Sequence, residues 1–228
     1  MGYRLLYWWV KIAIQIFFKK IIVIGKENIP ANKPIIYALN HQNTLLDALV
    51  MGVSFEQPIS FMTRADIFKK EWVSNLLKSL HLIPIYRIRD GYSAVSQNEQ
   101  VFDYCYDLLK KNKHILIFPE GSHLYQRKLR PLKKGIARMT IDASIRNQSE
   151  VLVIPVGLNY GSHKHSRSWI QINIGKPIST QSILDQNQQH EAKAVNQLVR
   201  EIYPKLQDQM IHIETTDSYS QVNDIFYF

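Results

Sequence analysis

Short apolar runs alternate along this chain with longer segments in which apolar residues recur every three or four positions. The runs that predict strands lie within residues 21–30, 34–39, 58–63, 82–88, 114–118, 151–158 and 169–175. The amphipathic segments that predict helices are residues 44–55, 65–80, 93–111, 134–146 and 189–209. Strands that alternate with helices indicate an α/β fold, with a mostly parallel central sheet flanked by helices.

The N-terminal segment, residues 1–20, predicts an amphipathic helix at a membrane interface. Its apolar run from Leu5 to Phe18 is shorter than the ~20 residues that a spanning helix needs, and Lys11 and Gln15 interrupt it. No small-residue cleavage site follows, so we expect no secretory signal. Aromatic rings and cations share the segment: Trp8, Trp9, Phe17, Phe18, Arg4, Lys11, Lys19 and Lys20. That mixture is typical of an interfacial helix, but a core-packed helix and a true span stay open.

Length and composition predict one domain over residues 21–214, followed by a tail over 215–228. The chain has 228 residues, of which 46% are hydrophobic and 21% are charged, so it can bury a substantial core. Its formal net charge of +9 indicates an anionic partner, which could be nucleic acid, anionic lipid or a phosphorylated substrate. The single cysteine, Cys105, excludes an internal disulfide, and we expect a buried, inert thiol.

The stretch NHQNTLLD places His41 and Asp47 where a predicted strand ends and a predicted helix begins. One interpretation is purely structural, because Thr44 and Asp47 match a capping box, with Thr44 as the N-cap. The other is catalytic. If His41 lies in the loop and Asp47 in the first helical turn, the carboxylate can orient the imidazole as a general base. No activated nucleophile stands beside the pair, so a substrate alcohol would attack directly.

Further polar residues follow other predicted strands, where α/β proteins form their sites. Arg87 and Arg89 could bind a phosphate or a carboxylate, or they could be surface cations, one of them paired with Asp90. The strand over 114–118 is followed by Glu120, Gly121 and Ser122. Glu120 could bind the acceptor or shape its site, or it could bond the nearby backbone. A basic run over 126–135 contains Arg130, Lys133 and Lys134. A second segment, 161–167, holds His163 and His165 without a metal-ligand cluster, so we expect a mobile basic loop.

Five blocks in this order resemble the glycerolipid acyltransferase family, typified by bacterial 1-acylglycerol-3-phosphate acyltransferases. They are NHQNTLLD, IPIYRIRDG, FPEGSH, LRPLKKGIARM and VIPVGLNYG, and the resemblance runs from about residue 25 to 178. It implies that His41 and Asp47 are the catalytic pair. It also implies that Arg87, Glu120 and Gly121 match binding positions, with Arg89 close enough to substitute, and that Pro155 is structural.

Two departures from the family pattern bear on the substrate. Five residues separate His41 from Asp47, where four are usual. His123 stands where the family usually has an arginine, so a phosphate-pairing cation is missing from its usual place. Nearby cations could replace it: Arg127, Lys128, Arg130, Lys133 and Lys134. Alternatively, the acceptor carries no phosphate.

The resemblance implies a membrane-surface O-acyltransferase. The donor would be acyl-CoA or acyl-carrier protein, and the acceptor the free hydroxyl of 1-acylglycerol 3-phosphate. We expect no cofactor, no metal and no nucleic acid, with peripheral or monotopic binding to anionic lipid on the cytoplasmic face of the cell membrane. Two alternatives stay open: the same chemistry on a lyso-aminolipid or other lysolipid, and a non-catalytic lipid- or nucleic-acid-binding protein of the same fold.

Overall fold

The computed structural model describes residues 2–55, 57–86, 96–163, 165–214 and 219–225. The strands are β1 (Lys20–Ile24), β2 (Ile35–Leu39), β3 (Ile59–Arg64), β4 (Leu82–Ile85), β5 (His114–Ile117), β6 (Leu152–Tyr160), β7 (Trp169–Ile174) and β8 (Ile178–Ser179). The α-helices are α1 (Gly2–Phe17), α2 (Leu46–Ser54), α3 (Glu71–Ser79), α4 (Asn98–Lys110), α5 (Gly135–Asn147), α6 (Thr180–Gln186), α7 (Glu191–Gln207) and α8 (Tyr219–Asp224). Short 3₁₀ helices cover Lys26–Asn28 and Ala65–Phe68.

The strands of the described residues form one mixed sheet in the order β1-β7-β6-β2-β5-β3-β4, and β8 pairs with β6. Strands β6, β2, β5, β3 and β4 run parallel, and β7 and β8 run antiparallel to β6. Every residue of β2 and β6 is buried, as expected for central strands covered on both faces. The predicted α/β architecture with a mostly parallel sheet is confirmed.

Two apolar clusters cover the two faces of the sheet. On one face α4, α5, α6 and α7 bury residues such as Leu109, Met139 and Ile202. On the other face α1 and α2 bury Ile14 and Met51 against the sheet. Cys105 lies in the first cluster, fully buried, and burial raises the pKa of its thiol to about 12. The expected inert thiol is therefore found.

Helix α1 ends at the edge of the sheet where β2, β5 and β6 end. Strand β1 is parallel to β7, which is antiparallel to β6, so β1 begins where β6 finishes. Ile14 and Phe18 pack into the core, whereas Leu5, Trp8, Trp9, Ile12 and Ile16 are exposed. None of the described helices is both long and apolar enough to cross a bilayer.

The structure differs from the predicted elements in two places. Residues 65–80 form a 3₁₀ helix and then α3, because Lys70 is extended and divides them. Strand β8 and helices α6 and α8 were not predicted, since each is seven residues or shorter and carries little periodicity.

Gly157 packs so closely against the backbone of Gln209 that a larger residue does not fit there. A Cβ at Gly157 in β6 would lie 2.1 Å from the Gln209 carbonyl oxygen, whereas one at Gly135 meets nothing within 4 Å. We expect Gly157→Ala to lower the free energy of unfolding by about 1–3 kcal/mol through overpacking. Gly135→Ala, at the start of α5, should be neutral or stabilising. Chemical denaturation of both variants tests this, and equal stabilities would contradict it.

Candidate active site

Asn40 determines where the chain leaves the sheet. Its side-chain amide donates to the Leu158 carbonyl at 3.0 Å and accepts from the Leu158 backbone N–H at 2.7 Å. These two side-chain bonds replace the backbone bonds that a further strand residue would make, and they extend the pairing of β2 with β6 by one position. The next residue, His41, is therefore held at the carboxyl end of β2.

His41 and Asp47 meet in the geometry that their catalytic interpretation requires. The His41 Nδ1 atom lies 2.8 Å from Asp47 Oδ2, and Asp47 is fully buried in the first turn of α2. Because a carboxylate only accepts, Nδ1 carries the hydrogen and Nε2 is left as an acceptor. Within the described part of the chain, no group hydrogen-bonds to Nε2.

The capping box predicted for this segment is wrong. Helix α2 begins at Leu46 with Leu45 in the N-cap position, and no side chain caps it. Asp47 instead accepts from the Asn43 backbone N–H at 2.8 Å, which ties the preceding loop to the helix. The carboxylate thus contacts both the loop backbone and the imidazole, and Thr44 has no part in the arrangement.

Tyr160 is a site residue that the sequence analysis missed. It ends β6, its hydroxyl donates to Asp47 Oδ1, and it is fully buried. Burial, followed by the nearby Asp47 carboxylate, raises the pKa of Tyr160 well above its usual value of 10, so the hydroxyl keeps its proton. Its place at the end of a strand parallel to β2 was the available signal.

The His41 ring contacts two other rings. It stacks on Phe118, with the ring centroids 3.9 Å apart and an interplanar angle of 20°. His123 meets it edge-on at 5.7 Å. The pKa of His123 is lowered, mainly by partial burial, which favours a neutral imidazole beside His41.

Glu120 joins the loop after β5 to the loop after β2. Its Oε1 atom accepts from the His41 backbone N–H at 2.8 Å, and its Oε2 atom accepts from Arg130 Nε at 2.8 Å. Its side chain is 2% exposed, so the ion pair with Arg130 is largely shielded from water. Glu120 therefore holds His41 from the backbone side while Asp47 holds it from the ring side.

The structure places four of the other predicted binding residues, which are Gly121, Ser122, Arg130 and Lys133, in the segment that follows Glu120. Arg130 also donates to the Ser122 hydroxyl at 2.7 Å and to the Ser122 carbonyl, so its guanidinium is already engaged. Gly121 turns the chain with a φ of +74°, which favours glycine. Lys133 and Lys134 are exposed just before α5. Arg87 and Arg89 lie outside the described residues.

The two basic segments differ in part from what the sequence predicts. In the segment 161–167 His163 is buried, its Nε2 lies 2.8 Å from Gln42 Oε1, and burial, with Arg127 second, lowers its pKa to about 4, whereas His165 is exposed. Arg127 cannot supply the missing cation, because it is fully buried and donates to the Tyr160 and Gly161 carbonyls. Neither burial is visible in the local pattern. Among the described residues, no group of three or more His, Cys, Asp or Glu could hold a metal ion.

Comparisons with known proteins agree with this architecture. A family model described as Acyltransferase matches residues 20–159. The 1-acyl-sn-glycerol-3-phosphate acyltransferase of Bacillus subtilis (strain 168) is 26% identical over 192 residues, covering 81% of this chain and 88% of that protein. The protein of the same name in Pseudomonas aeruginosa is 27% identical, covering 92% of this chain and 79% of that protein. The chloroplastic 1-acyl-sn-glycerol-3-phosphate acyltransferase BAT2 of Brassica napus is 31% identical over 151 residues. That match covers 66% of this chain and 40% of the Brassica protein.

The fold also matches a solved structure. The crystal structure of the 1-acyl-sn-glycerophosphate (LPA) acyltransferase PlsC from Thermotoga maritima has a TM-score of 0.59 with this chain at 19% identity. The match covers 88% of this chain and 79% of the other. At this identity, the likeness concerns the arrangement of helices and strands.

Tyr160→Phe isolates the hydroxyl that bonds to Asp47. The change leaves a buried carboxylate oxygen without its donor, so we expect the free energy of unfolding to fall by about 1–3 kcal/mol. The control is Tyr104→Phe, because Tyr104 is 54% exposed on α4 and its hydroxyl should contribute little. Denaturant unfolding measures both, and a Tyr160→Phe variant as stable as the control would contradict the assigned bond.

Proposed function

This chain belongs to the acyltransferase family, and on that premise we propose that it transfers a fatty acyl group to the free hydroxyl of 1-acylglycerol 3-phosphate. The product is phosphatidate, and the donor is an acyl thioester, either acyl-CoA or acyl-carrier protein. The observation that carries the proposal is the hydrogen bond of 2.8 Å between His41 Nδ1 and the buried carboxylate of Asp47. The names of the bacterial relatives support the acceptor.

In the proposed reaction His41 acts as the general base. The acceptor hydroxyl gives its proton to Nε2 as its oxygen attacks the thioester carbonyl carbon, so a C–O bond forms while the carbonyl becomes an oxyanion. The tetrahedral intermediate then breaks its C–S bond. The leaving thiolate takes the proton from Nε2, which restores neutral His41 and completes the balance.

Asp47 and Glu120 hold the base in this mechanism. Asp47 keeps the hydrogen on Nδ1 and stabilises the imidazolium that forms on proton transfer. The Tyr160 hydroxyl holds the other carboxylate oxygen, Oδ1, and the Asn43 backbone N–H donates to Oδ2, the oxygen that also bonds to His41. Glu120 anchors the His41 backbone, and stacking on Phe118 limits rotation of the ring. A positioned base of this kind contributes about 10²–10⁴-fold to the rate.

Lys133 and Lys134 are the candidates that we favour for the acceptor phosphate. Arg87 and Arg89 lie outside the described residues and stay candidates on the family resemblance alone. Both lysines are exposed, and the Lys133 backbone N–H donates to the Pro119 carbonyl at 2.8 Å, which places the basic segment against the turn that carries Glu120. Gly121 and Ser122 form that turn. Arg130 bonds to Glu120 and Ser122 through three of its five guanidinium N–H groups, so it could offer the remaining two to a phosphate.

The proposal includes a membrane surface. Helix α1 ends beside the site, where the Phe18 ring lies 6.0 Å from that of Tyr160, and it exposes Trp8 and Trp9. We propose that this exposed side lies in the interface of a bilayer with anionic lipid, on the cytoplasmic face of the cell membrane. A lysolipid acceptor would then reach His41 without leaving the bilayer.

A second candidate keeps the chemistry and changes the acceptor to a lyso-aminolipid. The observation that favours it is His123, exposed beside His41 where the family usually has a cation. A neutral ring there would suit a headgroup without phosphate.

His41→Ala should reduce acyl transfer by about 10²–10⁴-fold, because the hydroxyl loses its proton acceptor. The control is His190→Ala, an exposed histidine that precedes α7. Release of free thiol from an acyl thioester, measured with lysophosphatidate, gives both rates. Transfer by a folded His41→Ala variant at the control rate would refute the mechanism.

Charge reversal separates the two acceptors. Lys133→Glu/Lys134→Glu should raise the KM for lysophosphatidate by about tenfold or more, since charge-assisted bonds to phosphate are lost. The KM for a lyso-aminolipid should change little. The matched control is Lys110→Glu/Lys111→Glu, two exposed lysines at the end of α4, far from the carboxyl edge of the sheet. Turnover of the lyso-aminolipid alone would favour the second candidate.

A further inference from the structure

We propose that α3 and the 3₁₀ turn before it form a second contact with the bilayer, separate from α1. The contact consists of Ile67, Trp72 and Leu76, here called the α3 strip, and its partner is a membrane that contains anionic lipid. The inference extends the membrane part of the proposed function, and it is carried by observations on α3 itself.

The α3 strip is unusually exposed for its composition. Trp72 is 68% exposed, Leu76 is 46% exposed and Ile67 is 40% exposed. None of the nine described residues of α3 is buried. Trp72 and Leu76 are four residues apart, so they share one side of the helix. A helix that leaves its apolar side in water is expected to have a partner.

Topology places the strip on the same side of the molecule as α1. The connections from β2 to β3 and from β3 to β4 step across the sheet in the same direction. Because such parallel crossovers are right-handed, α2 and α3 cover the same face, and α1 contacts α2 on that face. The turn at Ala65–Phe68 follows the carboxyl end of β3, so the strip begins at the edge that carries His41.

The charges around the strip favour an anionic bilayer. Lys69 and Lys70 are exposed between Ile67 and Trp72, and Lys78 is exposed near the end of α3. These three cations outnumber the one exposed acid of this stretch, Glu71. A helix that lies in a membrane interface typically combines cations with exposed aromatic and aliphatic side chains. A second copy of this chain is a poorer partner, because a two-fold contact through the strip would bring the same lysines together.

Tryptophan quenching locates the strip directly. The chain has four tryptophans, so Trp8→Phe/Trp9→Phe/Trp169→Phe leaves Trp72 as the only reporter. We expect lipids brominated on their acyl chains to quench Trp72 when the full-length variant binds phosphatidylcholine vesicles that contain phosphatidylglycerol. Circular dichroism checks folding. A vesicle-bound protein whose Trp72 is not quenched would overturn the proposal.

A second measurement does not depend on the triple variant. Trp72→Ser/Leu76→Ser should weaken binding to the same vesicles by about tenfold, since apolar burial in the bilayer is lost. The matched control is Tyr104→Ser/Ile145→Ser, which removes two exposed apolar side chains from α4 and α5 on the opposite face. Equal binding by both variants would overturn the proposal. A dimer that sedimentation detects and that Trp72→Ser/Leu76→Ser dissociates would also overturn it.

The charge of the contact gives a third measurement. Lys69→Glu/Lys70→Glu should reduce binding to vesicles with phosphatidylglycerol more than the matched Lys110→Glu/Lys111→Glu does, and the difference should disappear at high salt. Equal losses would contradict an anionic surface at α3. None of these three measurements uses acyl transfer as its readout. If Trp8 and Trp9 are quenched in a Trp72→Phe variant while Trp72 is not quenched in the triple variant, the α3 contact is rejected and the proposed function stays intact.

Discussion

The candidate site depends on one buried carboxylate. Asp47 is fully shielded from solvent and receives hydrogen bonds from the His41 ring, the Asn43 backbone and the Tyr160 hydroxyl. An acid with no water around it is stable only if its oxygens are bonded. The need to satisfy Asp47 therefore determines the path of the loop, the start of α2 and the orientation of the imidazole together.

The parallel sheet brings together the residues that this arrangement requires. Strands β6, β2 and β5 are neighbours that end at the same edge, so Tyr160, His41 and Glu120 meet although they are far apart in the chain. Asn40 extends the pairing of β2 by one residue before the chain turns. The additional residue between His41 and Asp47, compared with the family pattern, is accommodated in the loop without separating their side chains.

The same edge also orients the molecule. Strand β1 begins there, because it runs antiparallel to β2, so α1 arrives beside Tyr160 with its tryptophans exposed. Farther across the sheet, β3 ends at the same edge, and the α3 strip begins in the turn that follows it. If both elements contact a bilayer, His41 faces the lipid acceptor of the proposed reaction. This orientation follows from strand direction and from the right-handed crossovers of the sheet.

The sequence by itself determined the α/β class, most element positions and the closeness of His41 and Asp47. Each of these depends on local periodicity or on a spacing of six residues, which a strand end and one helical turn can bridge. Only the tertiary structure decided that Tyr160 completes the bonding of Asp47, that His163 and Arg127 are buried, and that Trp72 is exposed. The physical reason is that burial and long-range hydrogen bonds depend on which strands become neighbours, and local sequence carries no record of that order.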